Sequence, residues 1–139
     1  MLVPPTPVVQ AFLIADSVIQ DRATGKWTVV GVFDQIFAAS FPCVHPTVAI
    51  YVKVADALGR YSVKVEFRDA RDKTVSAFEG VELEVKDRAR GGEFGIATHG
   101  LPLADPGPHR FLLHMNGEYL ASASLTALKF EGSRPPGPS

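Results

Sequence analysis

Three aspartates are the residues of this chain whose positions most resemble those of catalytic groups. Asp16, Asp21 and Asp34 lie around a predicted hairpin, where paired carboxylates would have the residue type needed for acid–base chemistry. A carboxylate next to apolar strands is costly to bury alone, so each is expected to accept hydrogen bonds or to face water. We therefore favour a structural role over a catalytic one. Asp16 and Asp34 remain candidate surface residues for a partner.

The histidines and the single cysteine lack the spacing of a metal site. His109 and His114 lie five residues apart on one predicted strand, which sends their side chains to opposite faces. Cys43 and His45 share a face if their segment is extended, but the remaining ligands would have to come from elsewhere. No metal or cofactor is predicted, and Cys43 is expected to pack as a small apolar residue.

Motifs for nucleophilic catalysis and phosphate binding are also missing. The chain has no Gly-x-Ser-x-Gly elbow, and His45 is the one neighbour in sequence that would activate the Cys43 thiol. The sequence GGEFG at residues 91–95 lacks the Lys and Ser/Thr of a P-loop and precedes a strand. We predict that the chain is not an enzyme.

Composition further narrows the classes of partner. The 139 residues include 14 basic and 15 acidic side chains, without the basic excess that nucleic acid or an anionic membrane requires. The longest apolar stretches fall well short of the roughly 20 residues that a membrane-spanning helix needs. A lone cysteine and the lack of a secretory start indicate a cytoplasmic protein.

Most of the chain has the residue patterns of β-strands, and these strands must position the candidate residues described above. Apolar and polar residues alternate from Tyr61 to Phe67, whereas the segment from Val8 to Ala15 is apolar on both faces. Asn116-Gly117 suits the positive φ angles of a two-residue type I′ hairpin. Eight strands are predicted, at Val8–Ile19, Trp27–Phe33, Val48–Ala55, Tyr61–Arg68, Val75–Val85, Phe94–His99, Arg110–Met115 and Tyr119–Phe130.

Short strands at regular spacing predict an all-β fold. The expected architecture is a two-sheet antiparallel β-sandwich of the Ig-like kind with about 7–8 strands, and a barrel is the alternative. A single domain is predicted over residues 8–130. Proline-rich extended tails are predicted at residues 1–7 and 131–139, the second of them flexible or docked.

Two segments between predicted strands bear on function, the turn at residues 21–26 and the loop at residues 95–109. Asp21 is expected to accept N–H bonds from the next residues of a turn that Gly25 reverses, after which Trp27 begins the return strand as a packing aromatic. Residues 95–109 are predicted to form a weakly charged loop. Its histidines, His99 and His109, are candidate contact residues.

A larger pattern extends over the predicted hairpin. The signature A-D-x(4)-D-x-x-T-G-K-x(4)-G-x-F-D-x-I runs from Ala15 to Ile36, followed by FPCVHP and GRYSVKVEFRD. It resembles an uncharacterised family of small bacterial β-sandwich domains. The resemblance covers the chain to about Asp69 and continues in P-G-x-H-R-F-x-L-x-x-N-G from Pro106 to Gly117. It implies the sandwich fold and transfers no catalytic residue.

Two functions from different classes follow as expectations. The first is a non-enzymatic domain that docks to itself or to a larger protein assembly, because sheet edges can accept a partner's strand. The alternative is a small-ligand or carbohydrate-binding module whose stacking platform is drawn from Trp27, Tyr51, Tyr61 or Tyr119. Exposure and mutual orientation of those rings distinguish the two.

Overall fold

Nine strands and no helix make up the part of the chain that the computed structural model describes, residues 3–130. None of these residues belongs to a helix long and apolar enough to cross a membrane. The strands are β1 (Val8–Gln20), β2 (Trp27–Val32), β3 (Gln35–Ala38), β4 (Cys43–Ala55), β5 (Gly59–Arg68), β6 (Thr74–Val85), β7 (Gly92–Leu103), β8 (Gly107–Met115) and β9 (Glu118–Lys129). The all-β prediction is confirmed.

The strands form two sheets. Sheet A has the order β2-β1-β4-β7 and is antiparallel throughout. Sheet B has the order β3-β9-β8-β5-β6 and is antiparallel except for the parallel pair β3–β9. The prediction of a wholly antiparallel fold is therefore wrong at β3, a strand that the sequence reasoning did not identify.

One hydrophobic core receives side chains from both sheets. Along β5 the residues Tyr61, Val63, Val65 and Phe67 are all buried, as their alternation predicts. Alternate residues of β4, from Val48 to Val54, belong to the same core cluster. Burial of these side chains is the main stabilising contribution, at about 25 cal/mol per Å² of apolar surface removed from water.

The predicted loop at residues 95–109 is replaced by strands. β7 runs from Gly92 to Leu103 along the full length of β4, and β8 begins at Gly107. Glycine and proline are tolerated in β7 because it is an edge strand, with one hydrogen-bonded neighbour among the described strands. This correction places His99 on an exposed strand position.

The two predicted tails differ in how far they can be described. Residues 3–7 precede β1, and the Pro5 carbonyl accepts a 2.7 Å hydrogen bond from the buried Tyr61 hydroxyl. This part of the N-terminal tail thus lies against the start of β5. The predicted C-terminal tail, residues 131–139, lies outside the described residues, as do residues 1 and 2.

Candidate interaction site

The turn of the β1–β2 hairpin is built as its sequence predicts. The Asp21 carboxylate accepts N–H bonds from Ala23 and Thr24, at 2.7 and 3.1 Å. Gly25 has a φ of 73°, which a residue with a side chain rarely adopts. Thr24 adds a hydroxyl that accepts the Lys26 N–H at 3.2 Å. Asp21 therefore has a structural role in closing the hairpin.

The half of the β1–β2 hairpin nearest its turn lies against the face of sheet A that points away from the core. A Cβ built on Gly95 would stand 2.7 Å from Cζ3 of Trp27 and 2.8 Å from Cγ1 of Val18. Gly95 is on β7, three strands away from β2 in the sheet order, so this contact is made over the face and not through strand pairing. The hairpin can approach this closely because glycine occupies the position beneath it.

Tyr51 lies beside the contact between the hairpin and Gly95. Its hydroxyl donates a hydrogen bond to the Glu93 carboxylate, and its ring centre lies 6.2 Å from that of Trp27. Burial, followed by the hydrogen bond to Glu93 and its negative charge, raises the pKa of Tyr51 to about 12. Tyr51 is thus a neutral packing residue that helps to hold the hairpin on the sheet.

The other strand of the hairpin, β2, is an edge strand of sheet A and has an uncharged sequence, WTVVGV. Val30 and Val32 are 45% and 60% exposed on it. The remaining edges are protected in ways that natural sheets commonly use. β6 carries three glutamates, β7 carries Glu93 and Pro102, and β3 has only four residues.

Two carboxylates next to β2 have no partner within residues 3–130. The side chains of Asp16 and Asp34 are exposed, and neither makes a hydrogen bond or an ion pair with a described residue. Every other acidic side chain in this range has such a partner. The fold thus leaves both charges available at the end of β2.

Asp16 occupies the space above Gly31, where the hairpin joins the rest of sheet A. Gly31 has a φ of 71°, and a Cβ there would lie 2.9 Å from Cγ of Asp16. A cavity of about 390 Å³ opens beside this contact. Its lining includes Asp16, Gly31, Phe33, Ile36, Phe37 and His45.

The cavity has one charged side chain and an apolar wall. The rings of Phe33 and His45 are 5.8 Å apart between centres. Burial lowers the pKa of His45, and the negative charge of Asp16 partly opposes this change. His45 is therefore neutral at pH 7, and Asp16 supplies the net charge of the cavity lining.

The other sequence-derived candidates are dispersed. His109 is fully buried, with its ring stacked on Phe67 at 5.5 Å between centres, so its side chain is not available to contact a partner at the surface. Alternation along β8 places it on the core-facing side with Phe111 and Leu113. Tyr61 is also buried, whereas Tyr119 is exposed on β9 beside His114.

These positions do not form an aromatic platform. Trp27 and Tyr51 are close, but their ring planes are inclined by 53° and Tyr51 is buried. Stacking on a flat ligand needs exposed rings in similar planes. Within the described residues, the four candidate aromatics offer no such pair.

Within residues 3–130, the side-chain positions support neither a metal site nor a reactive thiol. Within residues 3–130, no group of three or more His, Cys, Asp or Glu side chains is placed to hold a metal ion. Burial raises the pKa of the Cys43 thiol, which makes the reactive thiolate scarcer at neutral pH. The cysteine is half-buried at the start of β4.

Sequence reasoning missed the residues that distinguish this surface. Thr28, Val30 and Val32 form an exposed uncharged row on β2, bounded by Lys26 and Asp34. The absence of any charge between Lys26 and Asp34 was visible in the sequence. What the sequence did not reveal was that β2 lies at the edge of its sheet.

A model described as "Family of unknown function (DUF6941)" matches residues 10–128. The chain belongs to this family. The match to DUF6941 spans both sheets and includes the β1–β2 hairpin from residue 10 onward, and it confirms the predicted resemblance to an uncharacterised family. No curated protein matches the sequence.

Solved structures show similarity in fold only. An alkylpurine DNA glycosylase from Pseudomonas fluorescens, bound to DNA with an abasic site analog, matches with 12% identity and a TM-score of 0.51. The match covers 87% of this chain and 30% of the glycosylase. A mutant β-glucosidase from Listeria innocua with laminaribiose matches with 13% identity and a TM-score of 0.40, over 84% of this chain and 16% of that one. This DUF6941 chain thus spans less than a third of either protein.

Proposed function

We propose that this DUF6941 member is a non-enzymatic interaction domain that docks to itself or to a larger protein assembly through the free edge of β2. The observation that carries the proposal is the uncharged, exposed edge of β2, next to two carboxylates that have no partner within residues 3–130. An edge strand presents unpaired N–H and C=O groups and is a template for another strand. Proteins that do not use an edge in this way usually protect it with charge, proline or short length.

The hairpin packing supports the same proposal. Trp27 and Val18 lie against Gly95, and this packing restrains the start of β2 before a partner binds. An ordered edge loses less conformational entropy on binding than a mobile one. The partner's backbone would add the hydrogen bonds, and the exposed valines would add apolar contact.

Several broader features belong to the proposal. The Ig-like sandwich is the arrangement that we propose for the two sheets, and their shared core supports it. A cytoplasmic location in a bacterium is proposed from the lone free cysteine and from the family resemblance. The alternative, a small-ligand or carbohydrate-binding module, has less support because Trp27 and Tyr51 are not coplanar.

A matched pair of substitutions tests the docking proposal. Val30→Lys on β2 and Val75→Lys on β6 replace valines that are 45% and 40% exposed, both on edge strands. A lysine on the docking edge brings an ammonium group that strand pairing would desolvate, so Val30→Lys should release the chain from its native assembly. Val75→Lys should leave the assembly intact.

The measurement is the native mass of the tagged chain in extracts of its source cells, by size-exclusion chromatography at native expression level. Both variants are first checked for the wild-type unfolding temperature. The proposal fails when the wild-type chain elutes at its monomer mass, or when both lysine variants keep the wild-type elution position.

A further inference from the structure

We propose that the cavity beside Asp16 binds a small organic cation, an ammonium group on a compact apolar body. Its lining comes from both sheets, because the chain crosses from β2 in sheet A to β3 in sheet B at residues 33–34. The site is this cavity and not the free edge of β2, so binding there does not depend on the docking function proposed above.

The size of the cavity suits a small molecule. Its volume of about 390 Å³ lies within the range of about 300–1,000 Å³ that is usual for ligand sites. At the roughly 30 Å³ that a water molecule occupies in the liquid, the cavity has room for about a dozen non-hydrogen atoms. A compact amine therefore fits inside it as a whole.

The charge of the lining selects a cation. Among the described lining residues, Asp16 is the only ionised side chain at pH 7, because burial keeps His45 neutral. The Asp16 carboxylate makes no hydrogen bond or ion pair with any residue from 3 to 130. An ammonium group in the cavity would supply that partner, whereas an anion would be repelled.

A glycine allows the carboxylate to stand at the cavity. Gly31 lies beneath Asp16 with a φ of 71°, and a Cβ on it would be 2.9 Å from Cγ of Asp16. A side chain at position 31 would therefore push the carboxylate away. Without one, the negative charge lies next to the apolar wall of the cavity.

Two phenylalanine rings supply the other part of the recognition. Phe33 and Phe37 are half-buried members of the lining, and the Phe33 ring centre is 5.8 Å from that of His45. The face of an aromatic ring attracts a cation, and it also packs against the hydrocarbon part of an amine. Carboxylate and rings together thus match an ammonium ligand better than a neutral or anionic one.

A second cavity, of about 520 Å³, provides a comparison within the same chain. Its lining includes Lys64, Glu79 and His114. The Lys64 ammonium already lies 3.2 Å from the Glu66 carboxylate and 3.6 Å from that of Glu79. Because these charges are paired within the fold, an added amine should prefer the cavity beside Asp16.

Three probes that share one ring test the selectivity for charge. Benzylamine, benzyl alcohol and benzoate carry a positive, a neutral and a negative group, and each is titrated into the isotope-labelled full chain at pH 7 with NMR detection of the amides. Benzylamine should shift the amides of Gly31, Phe33 and Gln35 saturably, with a dissociation constant of about millimolar order for so small a ligand. Benzyl alcohol should bind about tenfold more weakly and benzoate not at all, and added salt should weaken the binding of benzylamine.

A matched pair of carboxylate variants identifies the charge responsible. Asp16→Asn keeps the shape of the side chain, and Asp34→Asn does the same at an exposed carboxylate that is not among the described lining residues. Asp16→Asn should weaken benzylamine binding about tenfold and remove its advantage over benzyl alcohol, whereas Asp34→Asn should leave both unchanged. Phe37→Leu, which removes a ring face, should weaken benzylamine binding about threefold. The amide spectrum of each variant checks that the fold is retained.

Several outcomes would overturn the cation site. They are the absence of saturable shifts at the three amides up to roughly tens of millimolar benzylamine, equal affinity for the amine and the alcohol, or equal effects of the two asparagine variants. Shifts confined to the amides of Lys64 and Glu79 would also overturn it, because they place the amine in the second cavity. Docking through β2 is tested separately by Val30→Lys, so it can stand or fail independently of these results.

Discussion

Replacing Gly95 with valine is expected to lower the free energy of unfolding by roughly 1–3 kcal/mol, the usual range for forcing extra carbon atoms into a packed site. The new side chain would occupy the space now held by Trp27 and Val18, which approach the glycine Cβ position to 2.7 and 2.8 Å. One of the two hairpin side chains must therefore move. Urea unfolding monitored by circular dichroism measures the change.

Ala97→Val is the matched control for Gly95→Val. Ala97 lies two residues further along β7, on the same face of the strand, and is exposed. Its added methyl groups enter solvent, so stability should change by less than about 0.5 kcal/mol. Trp27 is the only tryptophan, and its fluorescence should shift to longer wavelength in Gly95→Val alone. Equal stability and equal emission in the two variants would refute hairpin packing over Gly95.

The second large effect is expected at the base of the hairpin. Gly31→Ala combines a left-handed backbone, which costs about 1–2 kcal/mol for a residue with a side chain, with a collision against Asp16. Cγ of Asp16 would lie 2.9 Å from the new Cβ, so the carboxylate must move from its position beside the cavity. We expect a total loss of about 2–4 kcal/mol in the free energy of unfolding.

Gly25→Ala isolates the backbone part of this cost. Gly25 has nearly the same φ, 73°, in the same hairpin, but its Cβ position is open. Gly25→Ala should therefore lose only the left-handed strain of about 1–2 kcal/mol. In an Asp16→Ala background, the cost of Gly31→Ala should fall toward that of Gly25→Ala. Equal costs of the two alanines in the wild-type background would show that Asp16 does not occupy the space above Gly31.

Local features of the fold were predictable because their causes lie within a few residues. Asp21 accepts the bonds from the turn that its position before Gly25 predicts. Asn116 and Gly117 have the two positive φ angles expected of a type I′ turn. Period-two alternation likewise identified the buried face of β5.

Features that depend on distant strands were not predictable in the same way. β3 has only four residues, too few to show a period, and it pairs in parallel with β9 from the far end of the chain. The contact of Trp27 with Gly95 likewise depends on how the hairpin lies over sheet A. His109 is different, because its alternation with Phe111 and Leu113 was visible and pointed to burial.

The residues of the hairpin signature fall into two groups, those with a structural role in the fold and those whose side chains are free to contact a partner. Ala15 and Ile36 are buried, Asp21 and Gly25 form the turn, and Gly31 leaves space for Asp16. Folding accounts for these positions. Asp34 has an exposed carboxylate without a described partner and lies two residues beyond the end of β2, the strand whose edge we propose for docking.

The most direct test of the central claim is photocrosslinking in the source cells. A photoreactive amino acid is placed at position 30 on β2 or, as the control, at position 75 on β6, both exposed sites on edge strands. Docking through β2 predicts a covalent adduct, with a second copy or another protein, from position 30 and none from position 75. The absence of an adduct at position 30, or equal adducts at both positions, would contradict the claim.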